Sequence, residues 1–147
     1  MRAVFGVFFA GAMLAGCQQA ELAVTDASVQ LPVVSGRPGA AYFTVKGGAQ
    51  AASLVAVSSP VAIRAEMHEM KQDGGMMTMA PLRDVAIPAG ATVEFKSGGK
   101  HVMLFDVSPS VRSGDQVPLR LSFADGKTIE VKASAHTLSD ATDHGAH

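Results

Sequence analysis

Two histidines and six methionines stand between Glu66 and Met103, in a stretch without cysteine. They fall in three groups: Glu66-Met67-His68-Glu69-Met70, Met76-Met77-Thr78-Met79, and Gly98-Gly99-Lys100-His101-Val102-Met103. Thioether sulfur and imidazole nitrogen make a soft-to-borderline donor set, the kind that selects Cu(I) over harder divalent ions. A thioether has no proton to lose, and it escapes the oxidation to disulfide open to a thiol outside the cytoplasm. Such donors hold Cu(I) reversibly and suit a site that passes the ion on. Imidazole must be neutral to bind, so affinity weakens in acid.

Strand periodicity decides which of these side chains can meet. In Val61 to Met70, the residues Val61, Ile63, Ala65 and Met67 share an expected core face, and Arg64, Glu66, His68 and Met70 share the other. His101 and Met103 project together from a second strand, with Phe105 and Val107 expected to carry that face into the core. Asp73-Gly74 reads as a two-residue type I′ hairpin turn, which sets His68 opposite Met79 and Met70 opposite Met77. A turn at Gly74-Gly75 would instead set Met70 opposite Met79. The first register is the expectation, and it gives His68, Met79, His101 and Met103 as ligands of one Cu(I). Met70 and Met77 are accessory candidates on the same face. Met67 and Met76 read as packing, since methionine is an adaptable filler.

The elements around these groups are strands. Val117-Pro118-Leu119-Arg120-Leu121-Ser122-Phe123 alternates apolar and polar, and Asp125-Gly126 turns it toward Ile129 and Val131. Further strand signals fall near residues 27–31, 41–45, 54–58, 61–70, 76–79, 92–96, 101–107 and 128–133, separated by Gly, Pro or Asp-Gly. No segment sustains a helical period. About eight or nine short strands point to an all-β sandwich or barrel. The domain is expected over 27–133. Residues 134–147, with His136, His144 and His147 and few large apolar side chains, read as a disordered tail. That tail could hold Cu(II) or be a solvated end.

The chain opens with Met1-Arg2 and an apolar run to Ala15, the pattern of a secretory signal over 1–16, too short to span a bilayer. Leu14-Ala15-Gly16-Cys17 looks like a lipobox, with Cys17 lipidated and residues 17–26 a tether. A lipid anchor places the mature protein in the periplasm of a Gram-negative-type bacterium, with the outer membrane slightly favoured by Gln18. About 115 residues remain, enough for one core without a disulfide. The net charge of −1 arises from interspersed signs, so nucleic acid is not an expected partner, and a monomer is expected.

An electron-transfer copper site needs a cysteine thiolate, and Cys17 is the only cysteine in the chain. There is no Gly-x-Ser-x-Gly elbow, His-Glu-x-x-His pair or phosphate loop, so an enzyme is not expected.

The four expected ligands are separated as His, ten residues, Met, twenty-one residues, His-x-Met, and this spacing resembles the motif of PCuAC-type periplasmic copper chaperones. Gly39-Ala40-Ala41-Tyr42-Phe43, Ser58-Ser59-Pro60-Val61-Ala62, Ile87-Pro88-Ala89-Gly90 and Gly114-Asp115-Gln116-Val117-Pro118-Leu119 are similar to segments of that family. The resemblance runs from about Leu22 to Ala133. It implies a cupredoxin-like Greek-key β-barrel that binds one Cu(I) and delivers it for assembly of the dinuclear copper centre of cytochrome c oxidase. The implied partners are the oxidase copper subunit or a Sco-type chaperone. A copper buffer for metal tolerance would use the same site. Lys100 stands where the family often has an aromatic residue.

Overall fold

The computed structural model describes residues 19–143. In chain order they form β1 (Ala23–Gln30), β2 (Gly39–Lys46), β3 (Ala52–Ser58), β4 (Ala62–Asp73) and β5 (Met76–Pro81). They continue as β6 (Val85–Ile87), β7 (Thr92–Phe95), β8 (Lys100–Val107), β9 (Gln116–Phe123), β10 (Thr128–His136) and α1 (Leu138–Asp143). Hydrogen bonds join the strands in the order β5-β4-β8-β7-β2-β1-β10-β9-β3-β6, and β2 also pairs directly with β8. Among the described residues, β1–β10 and β7–β8 are the parallel pairs. No described helix is long and apolar enough to cross a membrane.

The sheet rolls around a single core because alternate residues along both of its halves are apolar. Ala41, Phe43 and Val45 of β2 and Val117, Leu119, Leu121 and Phe123 of β9 are all buried there. Val102 and Leu104 of β8 and Met67 of β4 join the same cluster. Phe43 and Phe95 stack at 4.4 Å between centroids, tying β2 to β7. Asp125-Gly126 makes the expected turn, where Gly126 takes φ +90° and Asp125 Oδ1 accepts the Lys127 N–H at 2.9 Å.

The strand bounds differ from expectation in several places. β1 begins at Ala23, inside the expected tether, and pairs with β2 from that residue on. β6 is an unexpected three-residue edge strand, buried through Val85 and Ile87 alone. β10 runs on to His136, three residues past the expected end, because Ala133 and Ala135 supply a buried stripe too small to read as core. α1 then occupies part of the expected disordered tail. His144 and His147, Cys17 and the expected signal at 1–16 lie outside the described residues.

Asp140 fastens that C-terminal turn to the loop before β9. Its carboxylate accepts hydrogen bonds from the Ser113 hydroxyl, the Thr137 N–H and the Thr137 hydroxyl. These bonds, that from Ser113 foremost, hold the Asp140 pKa down at about 2 instead of 3.8. A depressed value means the contact favours the folded chain above the ordinary pKa, and that contribution fades as pH falls toward about 2. A carboxyl-carbon NMR titration is expected to place the Asp140 inflection near 2. An inflection at the ordinary aspartate value would mean the cap does not form.

Candidate metal centre

The candidate ligands are positioned by the β4–β8 ladder. Its register sets Glu66 opposite Met103, Met67 opposite Val102, His68 opposite His101 and Glu69 opposite Lys100. Met67 is 5% exposed and Val102 and Leu104 are 0% exposed, so the core face is fixed by these three. His68, His101 and Met103 lie on the other face. The expected core role of Met67 is thus met. Phe105 shares the face of His101 and Met103 as expected, but it does not carry that face into the core: it is covered by the Arg64 guanidinium, 4.2 Å from its ring centroid. Asp106, in the left-handed region at φ +53°, breaks the side-chain alternation within β8, and Val107 packs against the core beyond it. Ile63, expected in the core, is exposed, and its neighbour Ala62, paired with Val107, packs against the core in its place.

The two histidines are direct cross-strand neighbours. Their rings lie 6.0 Å apart and within 21° of parallel. His101 is 7% exposed and the His68 side chain 14%. The His101 Nδ1–H donates to the Gly99 carbonyl at 3.0 Å, which leaves Nε2 with the lone pair. That carbonyl also accepts the Met70 N–H at 3.1 Å, so one oxygen ties the histidine to both strands. Gly98, at φ +81°, supplies the left-handed residue that the turn requires. On His68, Nε2 lies 3.1 Å from Glu66 Oε2, while Nδ1 is buried without a hydrogen-bond partner.

The methionines arrange differently from expectation. The β4–β5 hairpin turns at Gly74-Gly75, with φ +57° and +83°, and pairs Asp73 with Met76, Met70 with Met79 and His68 with Pro81. The expected His68–Met79 pairing is therefore corrected: Met79 is the diagonal neighbour of His68, and Met70 is the residue opposite Met79. Two consecutive glycines accept the paired left-handed conformations of a type I′ turn with less strain than Asp-Gly does. The shift is by two residues, so Met79 keeps the face of His68. Diagonal Cβ atoms lie about 7–8 Å apart, still within reach of a long side chain. Met103 is diagonal to His68 on the opposite flank. Met77, opposite Gln72, lies two pairs further toward the hairpin tip. His136 lies on β10, paired with Gln30 of β1 and away from this ladder.

Among the described residues, no three histidine, cysteine, aspartate or glutamate side chains converge as a metal site. The donors flanking the His68–His101 pair on its own face are the thioethers of Met79 and Met103. That donor set fits Cu(I) and not a hard divalent ion.

Next to the pair, the Lys100 ammonium donates to Glu69 Oε1 at 3.1 Å across the ladder, and Lys71 lies 3.7 Å from the other oxygen. The bond from Lys100 is the main cause that lowers the Glu69 pKa. Lys100, which departs from the family pattern, thus has its partner across the ladder. Because the folded value is depressed, the pair stabilises the fold above the ordinary 4.5 and loses that contribution as Glu69 protonates below it. Glu69→Gln is expected to cost about 0.5–1 kcal/mol in urea denaturation at neutral pH. The difference from wild type should shrink in acid.

A rolled β-sheet with two histidines and flanking methionines on neighbouring strands is the build of a cupredoxin-like PCuAC-type domain. The fold is similar to the copper-bound PCuAC domain from PmoF2, with TM-score 0.65 and 16% identity over 82% of this chain and 98% of that one. It is also similar to apo-DR1885 from Deinococcus radiodurans, with TM-score 0.60 and 28% identity over 93% of each chain. The Cu(I) form of that protein gives TM-score 0.59 and 31% identity over 84% of each chain. The chain belongs to this PCuAC-type family, described as "Putative lipoprotein LpqE-like", whose match covers residues 22–135. Among curated relatives it is 31% identical over 107 residues to "Putative lipoprotein Lxx21020" of Leifsonia xyli subsp. xyli. It is 29% identical over 99 residues to "Uncharacterized protein RP573" of Rickettsia prowazekii. The matches span 71% and 65% of this chain, and 64% and 55% of those two proteins.

Proposed function

We propose that this chain is an extracytoplasmic Cu(I) metallochaperone, anchored through Cys17, that binds one ion with His68, Met79, His101 and Met103. The observation that carries the reading is the His68–His101 pair. Each ring has one nitrogen engaged by the protein and the other left free, and a methionine lies diagonal to His68 on either flank. The likeness to DR1885 in its Cu(I) form, 31% identical, supports the same reading. The histidines hold the ion with nearly buried side chains, while Met79 is 48% exposed on an edge strand. Transfer then exchanges coordinate bonds stepwise: an incoming donor replaces the exposed Met79 sulfur first, and the ion leaves without a change of oxidation state. The acceptor in this reading is the dinuclear copper centre of cytochrome c oxidase, loaded directly or through a Sco-type thiol protein.

Anaerobic Cu(I) titration against a chromogenic chelator is expected to show one tight equivalent. It should be lost in the His68→Ala/Met79→Ala/His101→Ala/Met103→Ala variant and kept in His144→Ala/His147→Ala. Met70→Ala should weaken binding less than Met79→Ala; the reverse order would make Met70 the ligand. No competition by the wild-type protein would end the copper reading. In cells, loss of the gene should impair oxidase assembly at low copper. Normal assembly combined with copper sensitivity would instead identify a buffer.

A further inference from the structure

We infer that Glu66 is a positioning residue that makes the two histidines unequal, so that His68 meets the metal through Nδ1 while His101 meets it through Nε2. The inference rests on the copper reading for the identity of the metal, and on the geometry of β4 for the rest. Arg64, Glu66 and His68 follow one another at every second residue of β4 and share one face. The Arg64 Nε lies 3.0 Å from Glu66 Oε1 as an ion pair, and the other carboxylate oxygen, Oε2, lies 3.1 Å from His68 Nε2. Arg64 is itself steadied over the Phe105 ring on β8. The carboxylate is thus held from behind by a guanidinium and directed at one nitrogen of one histidine.

The proton on His68 follows from donor and acceptor chemistry. An ionised carboxylate only accepts, so the His68 nitrogen facing it carries the hydrogen. A second hydrogen on Nδ1 would be buried without an acceptor, since no hydrogen-bond partner reaches that atom. Neutral His68 with Nε2–H therefore leaves a buried lone pair on Nδ1. An orphaned buried acceptor is costly in a folded protein, and a metal ion satisfies it. At His101 the Gly99 carbonyl plays the corresponding part, but it takes Nδ1–H and leaves Nε2. Glu66 and Gly99 are the outer partners through which a protein sets the tautomer and orientation of ligating imidazoles.

Long-range proton–nitrogen NMR of the protein, without metal and with one equivalent of Cu(I) under anaerobic conditions, tests this. Without metal, His68 is expected to show Nε2 protonated and Nδ1 bare, and His101 the reverse. Cu(I) should then move His68 Nδ1 and His101 Nε2. Glu66→Ala is expected to mix the His68 tautomers and weaken Cu(I) binding by about 10–100-fold. Glu66→Gln, which keeps an accepting oxygen, should restore the single tautomer and most of the affinity. A purely structural role for Glu66 would instead leave the His68 tautomer unchanged in Glu66→Ala. That result, a bare Nε2 on His68 in the metal-free protein, or a Cu(I) shift at His68 Nε2 would overturn the inference. Failure of the copper reading looks different: Cu(I) would move neither histidine.

Discussion

The candidate metal site depends on the register between β4 and β8, and that register is fixed by hydrophobic contacts on the face away from the ligands. Met67, Val102 and Leu104 are buried on the core side, while His68, His101 and Met103 alternate with them on the other. With a side-chain period of two, a one-residue slip would drive the histidines into the core and expose the apolar stripe. Losing even one large buried aliphatic side chain costs about 2–5 kcal/mol, so this slip is closed. A two-residue slip preserves the faces, and here polar contacts act: it would separate Glu69 from Lys100 and the Met70 N–H from the Gly99 carbonyl. The stacked imidazoles are thus the outer expression of a packing decision made inside the rolled sheet.

The flank on β5 is built with much less restraint. β5 lies at the edge of the sheet, with a neighbour on one side only, and Met76, Met77 and Met79 are all exposed. Its register rests on backbone pairing and the Gly74-Gly75 turn, without a buried stripe of its own. The proposed site therefore joins a rigid imidazole pair to a thioether on a loosely held strand. For an ion that must be both retained and surrendered, this division places retention on nitrogen and release on sulfur.

The faces were legible in the sequence and the pairings only partly so. The alternation in Val117–Phe123 and the separation of Met67 from His68 and Met70 depend only on strand period, and the structure has both. The hairpin depended on choosing between Asp73-Gly74 and Gly74-Gly75, which are neighbouring turns of similar propensity. The choice moved Met79 from opposite His68 to its diagonal. Phe105 was misassigned because an aromatic residue beside Leu104 looks like core, whereas its cover is a cation, Arg64, brought in from another strand. β6 and the end of β10 were hidden for a different reason. A three-residue edge strand has too little pattern to read, and Ala133 and Ala135 fill core positions where only a small side chain fits. Glu66 carried no signal beyond its parity with His68; its partners become visible only when side chains are placed.

Charge explains why a carboxylate belongs near this donor set but not in it. Two neutral imidazoles and two thioethers leave the full positive charge on a Cu(I) ion. Holding that charge beside nearly buried rings is unfavourable without a compensating group. A glutamate bound directly would neutralise it, but carboxylate oxygen is a hard donor that favours other ions. Glu66 instead sits behind His68, on the nitrogen facing away from the free lone pair, and contributes its charge through the ring. Arg64 pairs with the carboxylate and moderates that charge. The Arg64-Glu66-His68 line thereby supplies electrostatic compensation while the inner donors stay soft, as the proposed selectivity for Cu(I) requires.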